Sequence, residues 1–266
     1  METVIGGLLL KIVMTASIVV AASVVVERSG PFIGSLIASL PTAGGAALII
    51  LAMEHPPDFV AASAVGSIVS NAICAAFALS YAALAQRQSL LTSLSGAYAL
   101  WFAAAYASSF IEWTAVRALL LTAVVFPLTI VAGRPFRAVS TGGRAVRLSF
   151  GDLAWRVGVV TLCVIVVTSA SYSIGSFASG VFVYFPVALG SYFVILHPRI
   201  GGPAAASVAA HVQLPLVGLV LSMLAVHLTA DRIGVWWSYG LGLSIGIAWN
   251  AMLWAIRNLR SRGRLV

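Results

Sequence analysis

The sequence predicts an all-α, polytopic transmembrane helical bundle of about nine spans, built from two inverted four-span repeats and a connector span. The chain of 266 residues is 61% hydrophobic and only 8% charged, whereas a soluble domain carries roughly 25% charged residues. Its apolar runs have the length of membrane-spanning helices, which is about 20 residues. Two of these runs share a Gly–Phe–Pro pattern at matching spacing.

Nine apolar runs reach spanning length, and each should be helical because lipid offers no water to unpaired backbone groups. The predicted spans are residues 7–26, 31–53, 59–84, 91–111, 115–133, 154–172, 176–196, 203–228 and 234–256. Three regions follow from them. Repeat 1 is 1–113, the connector span 5 with an Arg-rich cytoplasmic loop is 114–153, and repeat 2 with its basic C-terminal tail is 154–266.

The basic residues predict the orientation of the chain. With the N-terminus outside and the C-terminus cytoplasmic, twelve of the fifteen Lys and Arg residues are cytoplasmic, and only Lys11, Arg117 and Arg232 are not. This is the positive-inside bias of membrane proteins, and an even number of spans would break it. Topology thus explains the net charge of +8 without a nucleic-acid partner. The Arg-, Ala- and Gly-rich composition suggests a GC-rich bacterial genome, and we expect a bacterial inner-membrane protein in contact with the lipid bilayer.

The two halves align with an offset near 145. The offset pairs Lys11 with Arg156, Gly30 with Gly175, Phe32 with Phe177 and Pro41 with Pro186. Spans 1–4 then correspond to spans 6–9. Because equivalent spans are five apart, an odd number, they should cross the membrane in opposite directions, as in inverted-topology repeats. The alternative is chance similarity between helices rich in Ala, Val and Leu.

The run Gly-Ser-Leu-Ile-Ala-Ser-Leu-Pro-Thr at residues 34–42 resembles the GlpM-like family of bacterial inner-membrane proteins. Those are short four-span chains with a similar Gly…Leu-Phe-Pro-Thr run in the second span. The resemblance covers about the first 110 residues and, more weakly, residues 154–257. It implies an integral inner-membrane protein of poorly defined role. This chain departs from the family in being doubled and in having span 5.

The two mid-span prolines predict a binding site. Each removes a backbone donor and frees carbonyls of the preceding turn. In transporters, such broken helices present dipole ends and bare carbonyls to a substrate near mid-membrane. An ordinary helix kink is the alternative. The substrate-binding candidates at these breaks are Pro41, Thr42, Gly44, Gly45, Tyr184, Pro186, Gly190 and Ser191.

Polar residues within spans 3 and 8 extend the predicted site. Asn71 in span 3 and His211 and Gln213 in span 8 should face the bundle interior, because polar groups are costly in lipid. His211 could carry a proton near neutral pH. The alternative is a set of buried hydrogen bonds between helices.

The leading functional hypothesis is a transporter or permease of a small solute that works by alternating access between the halves. The alternative is a non-transporting accessory or scaffold protein of envelope or polysaccharide synthesis. There is no P-loop, His-Glu-x-x-His or Gly-x-Ser-x-Gly motif, so we predict no enzyme activity and no catalytic residue. Cys74 and Cys163 have no metal or disulfide spacing, and no metal or cofactor is expected. Substrate identity, coupling ion and homo-oligomerisation stay open.

Overall fold

The computed structural model describes Leu9 and residues 11–21, 42–138 and 149–262. Within those ranges the protein is helical and has no strand, as the sequence predicted. The helices are α1 (Lys11–Ala21), α2 (Thr42–Glu54), α3 (Pro57–Leu84), α4 (Leu90–Ser108), α5 (Ala115–Ala132), a 3₁₀ helix (Arg134–Ala138), α6 (Phe150–Val183), α7 (Val187–Ile200), α8 (Gly202–His211), α9 (Gln213–Ile233) and α10 (Val235–Arg262).

Six helical stretches of the described ranges are long and apolar enough to cross a membrane. They are Pro57–Leu84, Leu90–Ser108, Ala115–Ala132, Phe150–Ile200, Gly202–Ile233 and Val235–Leu259. The chain is therefore a membrane-embedded helical protein. Helices α3, α4 and α5 match predicted spans 3, 4 and 5 to within a few residues. Predicted spans 1 and 2 lie partly outside the described residues, so α1 and α2 are portions of them.

The longest of these stretches is a hairpin rather than one crossing. It has 51 residues, and at about 1.5 Å per residue it is far longer than a bilayer core of about 30 Å. The helical path is broken at Gly175, whose φ of 78° and ψ of 172° suit glycine. The two arms contact each other, because Arg199 pairs with Asp152 at 2.6 Å and the Arg156 guanidinium lies 3.6 Å from the Tyr192 ring centroid. The arms match predicted spans 6 and 7.

Helix α3 forms the centre of the bundle. It begins with Pro57 in its first turn and Asp58 beside it, both favourable at a helix N-terminus. Its apolar window is 83% buried, the highest value among the candidate spans. It packs against α4, α5, α6, α8 and α9. A helix that is apolar all round is expected in such a central position.

Close backbone contact fixes α3 against α6. A Cβ atom at Gly66 would overlap the carbonyl oxygen of Phe177, and one at Gly180 would overlap the carbonyl oxygen of Ser63. Only glycine allows this approach, which is the small-residue packing typical of membrane helices. The crossing holds the end of α6 directly on the centre of α3.

Helix α2 and the second arm of the hairpin run in opposite directions. Gly44 at the start of α2 lies beside Val183 at the end of α6, whereas His55, just after α2, reaches Ser171 near the Gly175 reversal. Helix α2 is therefore antiparallel to the second arm of the hairpin. Helix α9 is likewise antiparallel to α3, because Gln213 bonds Ala75 O and His227 bonds Ala61 O.

The glycine crossing leads to a stability prediction. Gly180→Ala should lower the free energy of unfolding by about 1–3 kcal/mol, the usual range for overpacking. The matched control is Gly158→Ala, because Gly158 is exposed on the same helix with open space around it. The control should be neutral or slightly stabilising, since Ala favours helix over Gly. Thermal unfolding in detergent, followed by tryptophan fluorescence, measures both. Equal effects of the two changes would contradict the crossing.

Candidate functional site

The helix break predicted at Pro186 is present. Helix α6 ends at Val183, Pro186 caps the start of α7 at Val187, and Tyr184 lies between with non-helical φ and ψ of −100° and 22°. A break of this kind leaves carbonyls without helical partners. Inside lipid, those carbonyls need donors from the protein.

Helix α3 supplies these donors. Ser67 Oγ donates to Gly180 O at 3.1 Å and Ser70 Oγ donates to Val181 O at 2.7 Å. Cys74 Sγ donates to Tyr184 O at 3.0 Å. The three donors occupy positions i, i+3 and i+7, which lie on one face of a helix. At the Pro186 break, three of the carbonyls that the sequence analysis offered to a substrate therefore already accept hydrogen bonds within the protein.

The start of α2 meets this break. A Cβ at Gly44 would lie 3.4 Å from both Tyr184 Cε1 and Val183 O. Thr42 is the first residue of α2, and Pro41 lies outside the described residues. Of the candidates predicted at the two breaks, the structure thus brings Gly44 and Tyr184 into contact.

Gly45 and Gly190, which the offset of 145 pairs, have different surroundings. At Gly190 the Tyr98 hydroxyl of α4 occupies the space that a Cβ would need, and Tyr98 Oη also donates to Pro186 O at 3.4 Å. At Gly45 no atom of another described helix lies within 4 Å of the Cβ position. Ser191 Oγ bonds Ala188 O in its own helix. One side of the break is filled by a tyrosine, and the other is open.

The open side is a cleft between α2, α9 and α10 with a volume of about 210 Å³. Its wall is mostly apolar or glycine, and Tyr239 supplies a buried hydroxyl that has no hydrogen-bond partner among the described residues. Leu243 on its rim is 53% exposed, so the cleft opens toward the lipid-facing surface. Residues that define it include Gly45, Leu48, Gly218, Tyr239, Leu243 and Asn250.

The polar candidates of spans 3 and 8 have different surroundings. Asn71 and Gln213 are fully buried on the facing helices α3 and α9. Asn71 Nδ2 donates to Ser67 O at 2.9 Å and Gln213 Nε2 donates to Ala75 O at 2.9 Å, while neither side-chain oxygen has a partner within the described ranges. His211 Nδ1 bonds Ser207 O of its own helix α8 at 2.7 Å.

The sequence has two His-Pro pairs, at residues 55–56 and 197–198, and both histidines make specific contacts. His55 Nε2 lies 2.7 Å from Ser171 Oγ, and its ring stacks on Phe59 at 3.8 Å. His55 is in the turn after α2, where burial lowers its pKa and favours the neutral ring. His197 Nδ1 lies 2.9 Å from Tyr81 Oη. Each histidine ties a helix end to a neighbouring helix.

Sequence reasoning missed three side chains of this region. Tyr98 and Tyr239 carry no motif, and only the packing shows that one fills a gap and the other lines the cleft. Arg156 was assigned to the cytoplasmic side, yet it is only 2% exposed and lies over Tyr192. Its burial could have been inferred from the sequence, because Arg156 lies inside the apolar run that begins at residue 154.

Comparisons with protein-family models, with curated proteins and with solved structures found no match to this chain. The resemblance to GlpM-like proteins therefore stays a hypothesis that depends on the residue 34–42 motif.

The donors at the break lead to a second prediction. Ser70→Ala should lower the free energy of unfolding by about 1 kcal/mol, because it leaves a buried carbonyl without its donor. Ser244→Ala is the matched control, since Ser244 is exposed and bonds only Gly240 O of its own helix. Thermal unfolding in detergent measures both. A Ser70→Ala protein as stable as the control would show that the carbonyls do not depend on α3.

Proposed function

We propose that this protein is a transporter of inverted-repeat type whose substrate binds in the cleft between α2, α9 and α10. The observation that carries the proposal is the position of the cleft. It lies between a helix of the first half and two helices of the second half, next to the helix break at Tyr184. Transporter substrates typically bind at the interface of two such halves, near discontinuous helices.

The orientation of equivalent segments supports inverted repeats. Helix α2 is antiparallel to the second arm of the hairpin, and α3 is antiparallel to α9, as the offset of 145 requires. Each half also has an ion pair at a similar place, although the partner residues differ. Lys11 at the start of α1 pairs with Glu54 at the end of α2 at 2.9 Å. The offset maps these two positions onto Arg156 and Arg199, and Arg199 pairs with Asp152, one turn before Arg156.

The two halves differ in the side chain that lies beside each of two equivalent glycines, and this difference indicates where the site is. Two identical halves would make two equal clefts. Here Tyr98 fills the space at Gly190, while Leu243, the position that the offset pairs with Tyr98, leaves the space at Gly45 open. An open cleft on one side of this crossing, among the described helices, supports a substrate site at Gly45. We propose nine spans, with the N-terminus outside and the C-terminus in the cytoplasm of a bacterial cell.

This asymmetry provides a direct functional test. Leu243→Tyr copies into the cleft the ring that fills the equivalent space at Gly190, so it should block the site without a new fold. Leu241→Tyr is the matched control, because Leu241 is on the same helix and exposed but does not line the cleft. Purified protein in liposomes is assayed for uptake of labelled amino acids, sugars and acyl amphiphiles, each tested separately. Native protein and the control should give saturable uptake of at least one class, and Leu243→Tyr should lose it.

Two results would contradict the proposal, the first by excluding transport of these classes and the second by excluding the cleft as the site. One is the absence of protein-dependent uptake for every class. The other is uptake that Leu243→Tyr leaves unchanged, which would move the site away from the cleft. Absence of uptake together with a stably copurifying envelope-synthesis protein would support the accessory function.

A further inference from the structure

Two histidines join the halves of the chain at opposite ends of α3. His55 of the first half lies 2.7 Å, through its Nε2, from Ser171 Oγ of the second half. His197 of the second half lies 2.9 Å, through its Nδ1, from Tyr81 Oη of the first half. Ser171 and Tyr81 are fully buried, whereas both histidines are partly exposed. Each histidine therefore covers a buried hydroxyl residue of the other half.

The two contacts are separated by about the thickness of a membrane. The His55 ring stacks on Phe59 in the first turn of α3, with ring centroids 3.8 Å apart. Tyr81, the partner of His197, is in the last turn of α3. At 1.5 Å per residue, Phe59 and Tyr81 are about 33 Å apart along the helix, and the hydrocarbon core of a bilayer is about 30 Å thick. The two histidines therefore lie near opposite membrane boundaries.

Each half also has an ion pair of its own near its histidine. In the first half, Lys11 of α1 pairs with Glu54 at the end of α2 at 2.9 Å. In the second half, Asp152 and Arg199 of the two hairpin arms pair at 2.6 Å. These ion pairs join helices of one half to each other and do not join the halves.

Hydrogen bonds from single side chains join the halves at these ends. Besides the two histidine contacts, Tyr172 Oη donates to Glu54 O at 3.1 Å, at the same end as His55. Loss of one net hydrogen bond shifts an equilibrium by only about two- to tenfold. The glycine crossing in the middle of the bundle, by contrast, holds two backbones in direct contact. The end contacts are therefore the ones that can open while the centre stays packed.

Helix α2 connects one of these contacts with the cleft. It has 13 residues, or about 20 Å. Gly45 and Leu48 near its start line the cleft, and His55 directly follows its last residue. Helix α7 has a similar arrangement, because it begins at the Pro186 break and has His197 in its last turn. Hinges are residues at element ends that absorb changes in φ and ψ. Opening the contact at the far end lets such a short helix tilt, and a tilt of α2 moves the cleft wall.

We propose that the His55–Ser171 and His197–Tyr81 contacts are the two gating contacts of this protein, one at each membrane face. With the proposed orientation, the His55–Ser171 contact closes the outer face and the His197–Tyr81 contact closes the cytoplasmic face. The transport cycle opens them one at a time, and the structure has both closed. The inference rests on the proposed function, because it names the contacts that open for alternating access to the cleft.

Labelling from each side of the membrane tests the gating contacts without requiring transport. Leu48 in the cleft wall is replaced by cysteine in a chain that also carries Cys74→Ser and Cys163→Ala. A charged methanethiosulfonate reagent, which does not dissolve in lipid, is added to right-side-out or inside-out vesicles. We expect Ser171→Ala to raise labelling about fivefold from the outer side only, and Tyr81→Phe from the cytoplasmic side only. Each change removes one hydroxyl, and this factor corresponds to one net hydrogen bond.

Matched controls break the ion pair within each half near the same ends. Lys11→Gln acts near the outer contact and Asp152→Asn near the cytoplasmic contact. Both should leave labelling unchanged from either side, because neither ion pair joins the halves. Labelling that the two hydroxyl variants leave unchanged, or raise equally from both sides, would overturn the inference.

Cross-linking distinguishes the inference from the proposed function. The pairs His55→Cys with Ser171→Cys and His197→Cys with Tyr81→Cys are joined by a short bifunctional methanethiosulfonate in the chain without Cys74 and Cys163. Uptake into liposomes is measured before and after dithiothreitol releases the linker. Loss of uptake with either pair joined, and its recovery on release, would support the inference. Uptake that continues with either pair joined would overturn it while supporting transport. Labelling from the expected side without any uptake would support the gating contacts and contradict transport of the tested classes.

Discussion

The structure depends on how a broken helix is satisfied inside lipid. At Tyr184–Pro186 the second arm of the hairpin loses its helical hydrogen bonds, and the bilayer core has no water to replace them. Helix α3 provides hydroxyl and thiol donors at the required spacing. They reach the carbonyls only because glycines at the crossing let the two backbones touch. The α3–α6 crossing therefore both positions the break and stabilises it.

The hydrogen bonds from α3 limit the part that the break can play in binding a substrate. Three of its carbonyls already accept hydrogen bonds from α3, so these carbonyls are not free to bind a substrate. The break instead shapes the space around it. It brings Tyr184 against Gly44, and it leaves Gly190 under Tyr98 and Gly45 beside an open cleft. The functional account thus depends on which side chain fills the space beside each of two equivalent glycines.

Sequence predicted the membrane class, most helices and the break at Pro186, because apolar run length and proline act locally. The reversal at Gly175 could also be predicted, because Gly175 lies between predicted spans 6 and 7, at residues 154–172 and 176–196. The cleft could not be predicted, because it arises from which tyrosine reaches across to which glycine. For a similar reason, the sequence could not predict that His211 has different surroundings from Asn71 and Gln213. All three residues are polar within apolar runs, and only the packing shows that Asn71 and Gln213 are fully buried whereas His211 is partly exposed and bonds Ser207 O of its own helix.

The central claim is that α2 and the broken second arm run in opposite directions and meet at Tyr184. Disulfide cross-linking in native membranes tests it most directly, in a chain whose Cys74 is changed to Ser and Cys163 to Ala. The account predicts that the pairs Gly44→Cys with Val183→Cys and His55→Cys with Ser171→Cys both cross-link within one chain. Cross-linking of the exchanged pairs, Gly44→Cys with Ser171→Cys and His55→Cys with Val183→Cys, would show that the segments run in the same direction and would contradict the account.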